Sequence, residues 1–213
     1  MIDIIVPTFK RVAKLAAFAK NVHENTSVAH TLSFVTEPDD QPSIDEVKRL
    51  GEKLIISEEP GWHTGAANTG YRRTKEPYFI IANDDFCFHK DWDTYALAEM
   101  KGQIKVVGLN NGQGVTRTEF LIARDYIETQ SGVIDQPNTV FYSGYHHCYV
   151  DDEMYQTALS RGVYIDCPNS VVEHLHFSFN KSALDETYIK AGSYFEVDGQ
   201  LFFSRQHLWQ SKS

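Results

Sequence analysis

The sequence predicts an α/β fold with a mostly parallel central sheet flanked by helices. In the first half of the chain, short runs of branched apolar residues alternate with segments of helical periodicity. These runs are continuously apolar, which is typical of strands covered on both faces, as in a parallel sheet. The 213 residues are 42% hydrophobic and 23% charged, the balance of a folded globular protein.

The first half contains five predicted strands and three predicted helices, the third of which opens within residues 61–70. The strands are expected at residues 3–7, 31–36, 53–56, 78–82 and 105–109. Between Leu15 and Val22 apolar residues recur at helical spacing, which predicts a helix over residues 12–25. The tetrapeptide Ser43-Ile44-Asp45-Glu46 has the form of a capping box and predicts the start of a second helix.

The second half is less regular and holds shorter elements. We expect a strand at 119–123, a helix at 152–160 closed by Gly162, short strands at 164–166 and 171–174, and a helix at 183–191. No internal repeat or linker-like composition is visible, so residues 1–213 are predicted to form a single domain.

Three parts of this domain have different expected roles. Residues 1–110 would carry a nucleotide site, residues 111–177 would shape the acceptor side, and residues 178–213 would form a C-terminal extension or lid. Four aromatic residues in the extension would either cover a site or anchor a packed tail: Phe195, Phe202, Phe203 and Trp209.

Charge and composition exclude several classes of protein. The formal net charge of −9 argues against a broad electrostatic grip on nucleic acid. The basic clusters at residues 10–14 (Lys10, Arg11, Lys14) and 72–75 (Arg72, Arg73, Lys75) are interpreted as solvated helix faces. No apolar run approaches the roughly 20 residues of a membrane span and no signal peptide is apparent, so we expect an intracellular, cytoplasmic protein. Three cysteines without CxxC spacing predict buried free thiols.

The strongest chemical signal is Asn83-Asp84-Asp85, which directly follows the fourth strand. Carboxylates at the carboxyl end of a parallel strand lie where open α/β sheets bind ligands. Hard oxygen ligands suit Mg²⁺ or Mn²⁺, and such an ion could neutralise a diphosphate. The alternative is that the two acids only cap the following segment or form an Asx-turn.

Residues 61–70, with the sequence GWHTGAANTG, follow a strand and open a predicted helix. Small residues allow the backbone to approach a ligand closely, and helix N-terminal amides favour anionic groups. The segment is neither a GxGxxG fingerprint nor a P-loop, which disfavours nicotinamide and ATPase chemistry. A tight turn with close helix packing is the alternative.

Acids and histidines in the second half complete the set of candidates. Asp151 and Asp152 begin a helix, where they could cap it or act as a general base, with Asp151 the first choice and Asp152 the second. His174 and His176 would face the same side of a strand, and His174 could complete the metal site. The pair His146-His147 is expected to line the acceptor site at most.

Taken in order, four segments resemble the family 2 glycosyltransferases of the GT-A fold: IDIIVPTFKR, GAANTGYRRTKEPYFIIANDD, VDDEMYQTALSRGVYI and CPNSVVEHLH. The resemblance spans roughly residues 1–177. The chain looks closer still to short glycosyltransferase-like proteins encoded by bacteriophages, through HTLSFVTEPDD, TKEPYF and VVEHLH.

This resemblance implies transfer of one sugar from a nucleotide-diphosphate donor, with UDP-sugars favoured, to an acceptor hydroxyl. It further implies a Mn²⁺ or Mg²⁺ cofactor, inversion at the anomeric carbon and no membrane association. A phage setting would make a DNA base or a virion protein the acceptor and the host cytoplasm the location. The Gln-x-x-Arg-Trp segment of polysaccharide synthases is absent from the sequence, which favours single-sugar transfer.

The resemblance also assigns residues. The implied donor-binding residues are Pro7, Thr8, Glu37 or Asp39, Gly65, Ala66, Asn68, Asn83 and Asp84. Asp85 would bind the metal with His174, and Asp151 would be the base. Asn83 stands where the family has an acid, so Asp84 could take part in metal binding, and Val150 stands where the family has a glutamate, which keeps Asp152 as an alternative base.

Two other functions compete with this interpretation. A nucleotidyltransferase would also use an acid-bound metal, but VPTFKR lacks the glycine-rich loop of that class. A non-catalytic sugar-nucleotide or carbohydrate-binding module would use aromatic stacking surfaces, for which the candidates are Trp62, Trp92, Tyr142 and Tyr145.

Overall fold

An eight-stranded sheet forms the centre of the computed structural model, which describes residues 1–59 and 62–210. The strand order is β3-β2-β1-β4-β7-β6-β8-β5. The strands are β1 Ile2–Thr8, β2 His30–Thr36, β3 Lys53–Ile56, β4 Tyr78–Ile81, β5 Phe86–Phe88, β6 Val106–Asn110, β7 Glu119–Ala123 and β8 Tyr164–His174.

Strand direction determines which strand ends meet. β1, β2, β3 and β4 are mutually parallel, and β7 runs antiparallel to both β4 and β6. β8 runs parallel to β6, whereas β5 is antiparallel to β8. Because β7 is antiparallel to both of its neighbours, β6 and β8 run in the same direction as β1 and β4. The carboxyl ends of β1, β4 and β8 therefore lie at one edge of the sheet. The predicted mostly parallel sheet is confirmed.

Helices pack on both faces of this sheet. They are α1 Val12–Asn25, α2 Gln41–Leu50, α3 His63–Arg72, α4 Trp92–Glu99, α5 Arg124–Gln130, α6 Val150–Ser160, α7 Glu186–Gly192 and α8 Phe195–Arg205. One core cluster joins the sheet to α1, α2 and α4, and a second joins it to α3, α5, α6 and α8. No helix in the described parts of the chain is long and apolar enough to cross a membrane.

Strand β1 shows why the apolar runs are continuous. Ile2, Ile4 and Val6 point into the first cluster, while Ile5 points into the second. All four side chains are fully buried. Alternate residues of a strand face opposite sides, so a strand covered on both faces needs apolar residues at successive positions.

Several local predictions need correction. Asp40 caps α2 by accepting a hydrogen bond from the backbone N–H of Ser43, so the helix begins before the predicted capping box. Helix α6 begins at Val150, which places Asp151 and Asp152 inside its first turn. The two short strands at 164–166 and 171–174 are one strand, β8, with an irregular register between them. The sequence analysis also missed β5, α4, α5 and α8.

The three cysteines are free, as predicted. Only Cys167 is buried, however, and Cys87 and Cys148 are half-buried. The expectation of buried thiols is therefore wrong for these two residues.

Gly70 sets how closely α3 approaches the sheet. A Cβ atom at this position would lie 2.2 Å from Cγ2 of Ile5 and 2.9 Å from Cγ2 of Val35. We expect Gly70→Ala to lower the free energy of unfolding by about 1–3 kcal/mol, because a clash with two packed strands outweighs the better helix propensity of alanine. Urea unfolding followed by circular dichroism measures this.

Gly192 is the matched control, because it also lies in a helix but a Cβ atom added there would meet no other atom within 4 Å. Gly192→Ala should leave the free energy of unfolding unchanged or raise it by up to about 1 kcal/mol. Equal values for the two variants would contradict the packing argument.

Candidate active site

A cavity of about 310 Å³ opens at the edge where the carboxyl ends of β1, β4 and β8 meet. Residues from these strand ends line one side, and residues from the start of α3 line another. Residues of α7 and the start of α8 close the third side. This is the edge at which open α/β sheets bind their ligands.

Asp84 is held within the protein by two buried hydrogen bonds. Thr8 Oγ1 donates to Asp84 Oδ2 over 2.7 Å, and Arg11 Nη1 donates to Asp84 Oδ1 over 2.8 Å. Burial raises the pKa of this carboxyl above its usual range, although Arg11 and Thr8 oppose the rise. Both oxygens of Asp84 are thus already engaged.

Asp85 differs from its neighbour because one of its oxygens is left without a hydrogen bond. Tyr188 donates to Asp85 Oδ2 over 2.5 Å. Asp85 Oδ1 is buried, accepts no hydrogen bond from the described residues, and lies 3.4 Å from Nε2 of His174. Burial alone would raise the pKa of Asp85, but His174, Tyr188 and Arg11 together hold it well below its usual range. The carboxylate is therefore charged at neutral pH.

His174 links Asp85 to a second buried acid, Glu119. Nδ1 of His174 lies 3.4 Å from Oε1 of Glu119, which is 2% exposed. Burial would lower the pKa of His174, but the two carboxylates raise it to about 9. With this pKa, both ring nitrogens carry a proton at neutral pH, and a metal ion that bound Nε2 would have to displace the proton there.

The two base candidates lie beyond Glu119, on the first turn of α6. Asp151 and Asp152 are half-buried, and neither is among the described residues that line the cavity. Burial, with repulsion from Asp152 and Glu119, raises the pKa of Asp151 to about 7. Burial also raises the pKa of Asp152, while Arg117 opposes the rise. A carboxylate with a pKa near neutrality is well matched to proton transfer at that pH.

The predicted donor-binding residues divide into two groups. The first group lines the cavity and consists of Pro7, Thr8, Glu37, Ala66, Asn83 and Asp84. The second group is absent from the described lining and consists of Asp39, Gly65 and Asn68. The structure thus brings together the first group with Asp85 and His174.

The structure shows what surrounds each residue of the second group. Asp39 is exposed. A Cβ atom at Gly65 would lie 2.4 Å from the carbonyl oxygen of Glu59, so this glycine allows close packing. The side chain of Asn68 bonds the backbone of Val140 and Phe141. A donor-binding role for these three residues stays a prediction.

Arg11 corrects the interpretation of residues 10–14 as a solvated helix face. Only 8% of Arg11 is exposed. Besides its bond to Asp84, its guanidinium donates two hydrogen bonds of 3.0 Å to the carboxylate of Asp185 and lies 4.2 Å from the ring centre of Tyr188. Burial would lower the pKa of Arg11, but Asp185 and Asp84 raise it above its usual value, so the guanidinium stays charged.

Helix α7 covers the cavity mainly through polar contacts. Asp185 at its N-cap pairs with Arg11, and Tyr188 bonds Asp85. Thr187 Oγ1 donates to the carbonyl oxygen of Phe9 over 3.1 Å. Sequence reasoning missed Asp185 and Tyr188, because no local pattern connects them to strand ends more than 100 residues away.

Aromatic and imidazole rings form the remaining wall. Trp62 and Tyr194 pack on His146, with ring centroids 4.4 and 4.6 Å apart. His63 Nε2 lies 3.1 Å from Asn83 Oδ1, and the His63 and His147 rings are 4.9 Å apart. Burial lowers the pKa of His63, and it lowers that of His147 to about 3, so both rings are neutral at pH 7. His146 and His147 thus line the same cavity as the predicted donor-binding residues, and their expected acceptor role stays a prediction.

Two of the four proposed stacking residues are inaccessible to a ligand, and Tyr142 is half-buried. Trp92 and Tyr145 are fully buried core residues, and Tyr145 donates to Glu153 over 2.7 Å. Of the four candidates, Trp62 alone belongs to the described lining of the cavity, and it is 38% exposed. Of the C-terminal aromatics, Phe202 and Trp209 pack in the core, Phe195 lines the cavity, and Phe203 is exposed.

Comparison with known proteins gives fold relatives only. Protein-family models give no match to the sequence, and curated proteins give none either. Among solved structures, the chain resembles mannosyltransferase PcManGT from Pyrobaculum calidifontis in complex with GDP-Man and Mn²⁺, with a TM-score of 0.65 and 13% identity over 95% of this chain and 72% of that one.

A second similar structure is glucosyl-3-phosphoglycerate synthase from Mycobacterium tuberculosis in complex with Mn²⁺, UDP-Glc and phosphoglyceric acid. Its TM-score is 0.68 at 10% identity, over 99% of this chain and 81% of that one. The UDP complex of the same synthase has the same TM-score and identity, with coverage of 99% and 82%. The chain therefore has the predicted GT-A fold.

Asp198 holds the loop that carries the two histidines. It is fully buried on α8 and accepts hydrogen bonds from the backbone N–H groups of His146, His147 and Cys148. Burial would raise its pKa, but these donors and the His146 ring hold the pKa below its usual range. We expect Asp198→Ala to lower the free energy of unfolding by about 2–4 kcal/mol, because it leaves buried N–H groups unpaired.

Urea unfolding at pH ~7 and pH ~3 measures this effect. Since the folded-state pKa of Asp198 is lowered, its ionised form stabilises the fold above the usual pKa, and this stabilisation is lost as the pH falls through the folded-state value. The difference between wild type and variant should therefore shrink at low pH. The exposed control Asp45→Ala should change the free energy of unfolding by no more than about 0.5 kcal/mol at either pH. An Asp198→Ala variant as stable as this control would contradict the assignment.

Proposed function

We propose that this protein is a metal-dependent glycosyltransferase that moves one sugar from a nucleotide-diphosphate donor to an acceptor hydroxyl. The observation that carries the proposal is the buried Oδ1 of Asp85, which accepts no hydrogen bond from the described residues and lies 3.4 Å from Nε2 of His174 in the lining of the cavity. The fold relatives support it, because their structures were solved with GDP-Man, UDP-Glc and Mn²⁺. Among donors, UDP-sugars remain the first choice.

The side chains that could bind a metal at the cavity fit a divalent cation. Asp85 offers a charged carboxylate and His174 an imidazole, and both are ligand types that Mn²⁺ accepts. We assign these two residues to Mn²⁺ or Mg²⁺, with Asp84 as a support that holds Thr8 and Arg11 in place. When bound, the ion would stabilise the negative charge of the departing nucleoside diphosphate.

Two cationic side chains add to the attraction for a diphosphate. Arg11 is buried beside Asp84, and Lys190 lies over the ring of Phe9 at 4.4 Å. Both residues line the cavity. Arg11 would keep the local charge balanced while the donor enters, and the Lys190 ammonium would approach phosphate oxygens.

Asp151 is the proposed general base, with Asp152 as the alternative. An inverting transfer requires a group that takes the proton of the acceptor hydroxyl as it attacks the anomeric carbon. The raised pKa of Asp151, to about 7, suits this task. Because Asp151 is not a described lining residue, the acceptor would have to approach from the side of α6.

We further propose that residues 178–213 act as a cover over the donor site. The cover begins with α7, whose Tyr188 and Asp185 hold Asp85 and Arg11. Tyr188 would release Oδ2 of Asp85 when the metal and donor bind. Within a single domain, residues 1–110 would then bind the donor and residues 111–177 the acceptor.

The acceptor proposal rests on the sequence resemblance to bacteriophage proteins. It names a DNA base or a virion protein as the acceptor and the host cytoplasm as the location. The rival functions, a nucleotidyltransferase and a non-catalytic binding module, would use the same cavity. The turnover experiment below separates them from glycosyl transfer, because only glycosyl transfer releases a nucleoside diphosphate from the sugar donor.

Binding of donor nucleotide should depend on metal and on Asp85. We expect one of UDP, GDP, CDP and TDP to raise the melting temperature of the wild type only when Mn²⁺ is present. At about 100 times its dissociation constant the ligand adds roughly 2.7 kcal/mol, which corresponds to several degrees at this size. Thermal unfolding under each condition measures the effect.

Asp85→Asn should abolish this rise, whereas the exposed control Asp125→Asn should keep it. If no nucleotide raises the melting temperature of the wild type under any condition, the proposed function is wrong.

Asp151→Asn should lower turnover by about 100-fold or more while leaving donor affinity unchanged, because general-base catalysis contributes on this scale. Turnover is measured as release of nucleoside diphosphate from the donor, with candidate acceptors or with water. Asp152→Asn is the matched neighbour and should keep most of the activity. Full turnover in Asp151→Asn together with its loss in Asp152→Asn would move the base to Asp152. Full turnover in both variants would refute an Asp base, and no release of nucleoside diphosphate by the wild type would favour a binding module.

A further inference from the structure

Three potential metal ligands lie on the β5–β8 ribbon, outside the described lining of the cavity. They are Cys87, His89 and Glu173, and one ligand atom from each lies within 4.8 Å of the other two. None of them has a part in the proposed glycosyl transfer. The cluster therefore needs an explanation of its own.

The strand geometry brings these side chains to one face. Cys87 on β5 is directly opposite Glu173 on β8 in the antiparallel register. His89 is two residues after Cys87 and is still held to β8, because its backbone N–H donates to the carbonyl oxygen of Val171 over 3.1 Å. Residues two apart on an extended chain face the same side, so the ladder itself places the three ligands together.

The combination of ligands suits zinc better than magnesium or calcium. A thiolate, an imidazole and a carboxylate are the three ligand types of protein zinc sites, with bond lengths of about 2.0–2.3 Å. His89 Nε2 and Glu173 Oε2 are already 2.9 Å apart. The His89 side chain is nearly half exposed, so its ring is free to rotate toward an ion held by Glu173 and the half-buried sulfur of Cys87.

A positively charged group and an N–H donor already contact the cluster. Lys181 forms an ion pair with Glu173, and the amide of Asn21 donates to the sulfur of Cys87 over 3.5 Å. A divalent cation would take the position of the Lys181 ammonium beside Glu173.

We propose that Cys87, His89 and Glu173 form a zinc site with an open fourth position, separate from the Asp85 and His174 site. A bound ion would tie β5 to β8 at the edge of the sheet. Phe86, which precedes Cys87, is paired with His174, so the zinc site would also fix the strand end that carries this histidine.

Cobalt substitution in the full chain tests the proposal. After chelator treatment, one equivalent of Co²⁺ should give a sulfur-to-cobalt charge-transfer band, because only a thiolate ligand produces it, and Zn²⁺ should displace the cobalt. Cys87→Ser should lose the band, while the control Cys148→Ser, which removes another half-buried thiol, should keep it. His89→Gln should weaken binding by about 10-fold or more.

Asp85→Asn distinguishes this site from the proposed active-site metal. The cobalt band should survive in Asp85→Asn even though nucleotide binding is lost, so the two proposals can fail separately. Absence of the band in the wild type would overturn the zinc site, as would its persistence in Cys87→Ser. Should Cys87→Ser not fold, as judged by circular dichroism, the exposed His89→Gln variant decides, and unchanged cobalt affinity in it would likewise overturn the proposal.

Discussion

The buried charge cluster at the end of β4 is the constraint on which the rest of the site depends. Asp84 and Asp85 are each only 5% exposed. Two adjacent carboxylates out of water are costly unless opposite charges and hydrogen-bond donors surround them. Arg11 from the segment after β1, His174 from β8 and Tyr188 from α7 supply these partners. The cavity exists where these three elements converge.

From Asp85 a series of charged groups leads to the first turn of α6. Asp85 faces His174, His174 faces Glu119, and Glu119 acts electrostatically on Asp151. Asp85 and Glu119 raise the pKa of His174 to about 9, and Glu119 adds to the effects of burial and Asp152 that raise the pKa of Asp151 to about 7. A change of charge at Asp85, the proposed metal ligand, would therefore alter the pKa of Asp151, the proposed base, although no single contact joins the two residues.

Much of the sheet could be predicted from the sequence, because apolar burial on two faces leaves an unambiguous pattern of consecutive branched residues. The predicted bounds of β1, β3 and β7 agree with the structure within one residue at each end, and the acids after β4 lie at the ligand-binding edge, as expected. By contrast, β5 has only three residues and α4 has no clear division into polar and apolar faces. Short or uniformly buried elements carry too little periodicity to be recognised.

The site was harder to predict because its partners are distant in sequence. Arg11 looks like part of a solvated basic face, and only the fold brings it to Asp185, 174 residues away. Glu119 does leave a signal, as a lone acid at the start of the buried strand EFLIA, and the sequence analysis missed it. For Asn68 the family resemblance predicts a ligand contact, and the structure shows that its side chain bonds the 140–141 backbone, so the donor-binding role stays a prediction.

The way α7 is attached has a consequence for access to the cavity. Tyr188 is its one buried residue, and Ile189 is 60% exposed, so lifting the helix uncovers little apolar surface. Its anchors are instead the ion pair of Asp185 with Arg11 and the bond of Tyr188 to Asp85. Only Asp185 is partly exposed, at 33%, so added salt weakens its attraction to Arg11 more than it weakens the buried bond of Tyr188 to Asp85. Added salt should therefore loosen the Asp185 end of α7 before it affects Tyr188 or the sheet beneath.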